Sequence, residues 1–154
     1  MSHEDPPLLP ELIVSQSPDA IIFADPDGLI RVWNTAAEQI FGFTAEEAIE
    51  QNLDIIIPER FREAHWKGYD LALANGRTKH GSRALPTRAQ RADGESIVVE
   101  LTFSVIVDPD GKALGALANA REISNRFEKE KADRKRLREL ESELQKLSGA
   151  PRDV

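Results

Sequence analysis

Cysteine is absent from this 154-residue chain. That removes disulfides, thiolate metal sites, cysteine nucleophiles and thiol redox sensing. Histidine is scarce: His3, His65 and His80 are the three, and His3 lies in a polar, proline-containing leader. A site that needs several imidazoles is therefore not expected within one chain. Met1 is the only methionine. No apolar run approaches the ~18 residues of a membrane-spanning helix. Met1–Pro10 lacks a basic stretch followed by an apolar one, so no secretory signal is expected and the expected location is the cytoplasm. No phosphate-binding loop or metal-ligand cluster appears, so the chain is not expected to be an enzyme.

What is present is a globular composition. Hydrophobic residues make up 40%, enough for a core in one domain of this length. The formal net charge is −7, and an acidic surface repels a phosphate backbone, which argues against nucleic-acid partners.

The pattern divides the chain into a loose leader (1–10), a globular domain (11–124), a charged helix (125–148) and a short tail (149–154). Leu8, Leu9, Leu12, Ile13 and Gln16 fall at helical spacing, which predicts a short helix over 8–17, either a lid on the core or part of a dimer face. Two apolar runs, Ala20–Ala24 and Leu29–Trp33, flank Asp25-Pro26-Asp27-Gly28, which reads as a strand–turn–strand unit. Asn34 and Thr35 offer caps for a helix that Phe41-Gly42-Phe43 ends, and Thr44-x-x-Glu47 is a capping box opening the next. An apolar turn over 52–58 stops at Pro58. Residues 59–75 predict a longer helix closed by Asn75-Gly76, with Phe61, His65, Tyr69 and Leu73 on one i, i+4 face. Three strands follow, at 82–90, 96–106 and 113–120, joined by turns at Asp93-Gly94 and Asp108-Pro109-Asp110-Gly111. Beyond Asn125 charge dominates. Leu137, Leu140, Leu144 and Leu147 follow coiled-coil a and d spacing, a stripe that predicts a homodimer or a packed downstream segment.

In its particulars this order resembles the PAS family. Ser17-Pro18-Asp19-Ala20-Ile21, Asp27-Gly28, Trp33-Asn34 with Ala36-Ala37, Phe41-Gly42-Phe43, Arg91-x-Asp93-Gly94 and Arg121-Glu122-Ile123-Ser124 match PAS domains of the S-box type. The last carries Glu where that family's closing motif has Asp. The resemblance implies an α+β fold. It would have a five-stranded antiparallel sheet flanked by short helices and one long helix, with an N-terminal helix and a C-terminal coiled-coil helix. It also implies a sensor whose signal leaves through Arg121–Ser124 into the helical tail, towards a downstream signalling protein or effector domain. Photoreceptors that join a flavin to a thiol are excluded by the missing cysteine; noncovalent flavin stays open.

Pro58-Glu59-Arg60-Phe61-Arg62-Glu63-Ala64-His65 further resembles the long helix of the heme PAS domain in rhizobial oxygen-sensor kinases. A gapless match from Pro58 to Gly76 puts His65 at the proximal ligand of heme b, with Tyr69 and Leu73 on the same stripe. Continued onward, it puts Leu85 where those sensors carry a distal arginine, with Leu101 and Phe103 as an apolar distal wall. Arg83 lies two residues before Leu85 and would share its face in a strand. His80 is a candidate second ligand or, with Lys79, a partner for a propionate. The alternatives are a packed His65 without a ligand role and a heme-free interaction module that holds another small molecule or none. Trp33 and Trp66 read as packing residues.

Overall fold

The turns and caps seen in the sequence close the chain where their chemistry requires. In the computed structural model, which describes residues 8–78, 81 and 83–149, the elements of the first unit are α1 (Leu9–Gln16), β1 (Ala20–Ala24), β2 (Ile30–Trp33), α2 (Thr35–Phe41), α3 (Ala45–Ala48), a 3₁₀ turn (Leu53–Ile56), α4 (Glu59–Asn75), β3 (Leu85–Gln90), β4 (Ser96–Val107) and β5 (Ala113–Glu122). This unit ends at Glu122; a second begins at Ile123. Between β1 and β2 the Asp25 carboxylate accepts the N–H groups of Asp27 and Leu29, both at 3.0 Å. Asp108 repeats the device between β4 and β5, accepting from Asp110 and Lys112 at 2.9 Å. Thr44 and Glu47 form the reciprocal capping box at the start of α3.

The sheet order is β2-β1-β5-β4-β3, antiparallel at every pairing. Its register sets the inner face. Ile22 stands opposite Ala118, which stands opposite Phe103; Leu85 stands opposite Leu101, which stands opposite Ala120. Side chains on adjacent strands at paired positions share a face, so these rows form a continuous apolar floor. The helices and the 3₁₀ turn pack on it around a core that includes Phe41, Ile30 and Val99, all fully buried.

Two strand boundaries differ from the sequence reading by more than one residue. Strand β3 starts at Leu85 rather than 82. Strand β5 runs on to Glu122, because Arg121 and Glu122 still pair with Glu100 and Val99. α1 buries no residue, leaving Leu12 43% and Ile13 60% exposed. The Asn34 side chain holds it to the domain, donating to the Val14 carbonyl at 2.8 Å.

The second unit contains α5 (Ser124–Leu147), which spans about 36 Å at ~1.5 Å per residue. Its leucine stripe is uncovered, with Leu137 57%, Leu144 67% and Leu147 84% exposed. No helix among the described residues is long and apolar enough to cross a membrane.

Candidate ligand-binding cavity

Between the apolar floor and α4 lies a cavity of about 360 Å³, near the lower end of the ~300–1,000 Å³ usual for small-molecule sites. The sheet contributes Ile22, Val99, Leu101, Phe103 and Ala118, and β3 adds Leu85, Thr87 and Ala89. The 3₁₀ segment closes one side with Leu53, Ile56 and Ile57. α4 supplies the opposite wall through Ala64, His65, Gly68, Tyr69 and Ala72, a set spaced by three and four residues that lies along one helical stripe.

α4 is locked in place by polar contacts outside the cavity. Arg62 donates to the carbonyls of Ile57 at 3.0 Å and Asp54 at 3.2 Å, and the Trp66 indole donates to the Asp54 carboxylate at 2.8 Å. Gly28 makes room for Trp66: its φ of +81° suits glycine, and a Cβ there would collide with the indole ring. The Tyr69 hydroxyl lies 2.5 Å from the Asp25 carbonyl and 3.2 Å from that of Ala24, tying α4 to the end of β1. Burial, and then the Asp25 carboxylate, push the Tyr69 phenol well above its ordinary pKa, so it remains a donor.

His65 is the one imidazole on this wall. Its ring packs edge-on to Trp66 with centroids 4.7 Å apart, and lies 5.8 Å from the Tyr69 ring. Its Nδ1 is buried without a hydrogen-bond partner among the described residues. Burial lowers the His65 pKa and the Asp54 charge opposes that shift, so the neutral ring is favoured. A buried imidazole with an unmet polar atom is a donor that can bind a metal centre or simply pack in an apolar wall.

The predicted site residues are placed as follows. His65, Tyr69, Leu85, Leu101 and Phe103 all line the cavity. Leu73 packs against the core and takes no part in the lining; Ala72 occupies that level of the wall. Phe61 does not share the inward stripe. It is 40% exposed beneath the Arg60 guanidinium, 4.7 Å from its ring centre, because Arg62 takes the inward contacts at that end of α4. His80 lies outside the described residues. Arg83 does line the cavity, as does Leu85. The small residues Ala64, Gly68 and Ala72 went unread as site residues, although their four-residue spacing beside the His65–Tyr69 stripe was a usable signal.

A five-stranded antiparallel sheet with helices over one face and a largely apolar cavity between them, with His65 in its wall, defines an α+β module. The chain belongs to the PAS family, whose PAS fold description matches residues 8–123. It is 45% identical over 53 residues to the sensor protein FixL of Bradyrhizobium diazoefficiens, a stretch that is 34% of this chain and 10% of that protein. The matched stretches of the curated relatives make up only about a tenth of their lengths, 13% and 10%. Among solved structures it resembles a PAS domain from Colwellia psychrerythraea, with a TM-score of 0.66 and 24% identity, covering 75% of this chain and 95% of that one. It also resembles an RNA-binding Light-Oxygen-Voltage receptor, with a TM-score of 0.68 and 23% identity, covering 94% and 41%.

Proposed function

We propose that this PAS domain is a sensor that holds heme b through His65, responds to a diatomic gas or to redox state, and acts by binding rather than catalysis. The carrying observation is the His65 imidazole, its buried Nδ1 unpartnered among the described residues, in the wall of a largely apolar cavity. The partial likeness to FixL supports the same reading. The donor set fits the group: one imidazole for the iron, with Leu85, Leu101, Phe103 and Ile22 to bury a macrocycle. Heme supplies an iron centre that takes up a small ligand or changes oxidation state. The chain's own residues favour the neutral imidazole and hold α4 in place through Trp66 and Tyr69. Leu85 in place of a distal arginine puts no donor at that position, and the arginines of this side, Arg83 and Arg88, are exposed, which favours CO, NO or a redox signal over stabilised oxygen.

Output is proposed to travel along β5, which lines the cavity at Ala118 and continues in sequence into α5. By linkage, a ligand shifts the tail only through its differential affinity for two states. The partner is proposed to be a second copy joined through the leucines of α5, together with a downstream signalling protein or effector domain. The competing reading is a heme-free interaction module; the uncovered leucine stripe is its specific support, since that stripe needs a partner whatever the cavity holds. Titration of purified protein with hemin separates the two. The sensor reading expects a Soret band that saturates at one hemin per chain, and the module reading expects no saturable band.

A further inference from the structure

The cavity is apolar at its depth and cationic at its mouth. Lining residues that are buried mark the depth: Phe41, Val99 and Tyr69 are 1%, 1% and 2% exposed. Lining residues that are exposed mark the mouth: Ala64 and Gly68 on α4, Gly81 and Arg83 ahead of β3, and Arg88 on β3, which already has an interaction partner. Gly68 leaves the opening clear, since a Cβ there would meet nothing within 4 Å. Arg83 has no hydrogen-bond or ion-pair partner among the described residues. A guanidinium placed there, in a chain of net charge −7, sits against the overall field of the protein.

We propose that Arg83 binds the carboxylate end of an otherwise apolar ligand whose body fills the cavity. The geometry suits both halves of such a molecule. The apolar body gains by leaving water. The carboxylate stays at the half-wet mouth, where Arg83 can meet it with two parallel N–H donors without the full cost of burying a charge. In its first form the inference rests on the heme reading, in which the carboxylates are propionates; an aliphatic acid presents the same group.

The test compares hemin with its dimethyl ester, which differs only in the acid groups. The readout is the ratio of the two dissociation constants, ester over acid. Arg83→Gln is expected to lower that ratio about fivefold, the order of one partly exposed charge-assisted pair; Arg83→Lys should retain part of it. Arg60→Gln, which removes an exposed charge stacked on Phe61, should leave the ratio unchanged and so controls for net charge. If hemin binds and Arg83→Gln leaves the ratio at its wild-type value, the proposal is overturned while the heme reading stands. If no saturable Soret band forms, the heme reading falls and the proposal is judged on dodecanoate against dodecanol by calorimetry. There Arg83→Gln should weaken the acid about fivefold and spare the alcohol; equal effects on both, or binding of neither, overturn it.

Discussion

Replacing Asn34 with alanine should remove a large share of the domain's stability, although this residue is not in the cavity lining. Asn34 is 5% exposed, and its side chain makes four hydrogen bonds that join three elements. Its carbonyl oxygen accepts from Ala37 N–H at 3.1 Å, which caps α2, and from Ile21 N–H at 2.9 Å in β1. Its amide nitrogen donates to the carbonyls of Val14 at 2.8 Å and Asp19 at 3.0 Å, fastening the end of α1. Loss of the cap alone costs about 1 kcal/mol. Stranding the Ile21 N–H adds ~1–3 kcal/mol, and the two carbonyls, which water reaches more easily, add less. The sum is about 3–5 kcal/mol, against a total stability of ~5–15 kcal/mol for a domain of this kind. In urea melts followed by circular dichroism, with a slope of ~1–3 kcal/mol/M, the midpoint should fall by about 2 M. Asn34→Ser should recover about 1 kcal/mol, because a hydroxyl restores the cap but cannot span to α1. A loss below ~1 kcal/mol for Asn34→Ala, or a serine variant as stable as the wild type, would refute the argument.

Leu140→Asp combined with Leu144→Asp should convert the protein to a monomer in light scattering while circular dichroism of the globular domain is unchanged, because both leucines sit on the uncovered face of α5; a wild type that is monomeric at micromolar concentration would count against the dimer. Acid should weaken the β1–β2 turn: burial pushes the Asp25 carboxyl up, but the N–H of Leu29, the Arg31 guanidinium at 2.8 Å and the N–H of Asp27 outweigh it and hold the carboxyl below its ordinary value. A depressed folded pKa gives stability that is present above the unfolded value of ~3.9 and lost as pH falls through the folded one, so Asp25→Asn should flatten the acid limb of the stability profile below about pH 4, and an unchanged limb would exclude Asp25 as its source.

Local chemistry made most of the fold legible. The boundaries of α4 follow from Pro58 and Asn75-Gly76, and the Asp-Pro-Asp-Gly turns follow from side chains that bond their own backbone. The PAS pattern around Trp33-Asn34 marked the right residues without disclosing why. The bonds of Asn34 reach to Val14 and Asp19, partners that only tertiary structure brings near. The inward stripe of α4 was read one residue off at its start. Helical period places Phe61 with His65, but Arg62 gains the half-buried carbonyls of Asp54 and Ile57, and Phe61 is left to Arg60. Leu73 was misplaced for a related reason, since at the last turn of α4 the cavity wall is carried by Ala72. Trp66 could be read as packing, but its pocket against Gly28 and Asp54 depends on long-range closure that no periodicity encodes.

Replacing the His65 ring with a soluble one tests most directly the proposed ligation of heme iron by His65. His65→Gly removes the imidazole and leaves the apolar lining in place, at ~1 kcal/mol of helix stability. Wild-type protein loaded with hemin should show a sharp Soret band in both oxidation states. His65→Gly should lose or broaden it, and free imidazole added to the variant should restore it. A His65→Gly protein whose Soret band matches the wild type without imidazole would contradict the account.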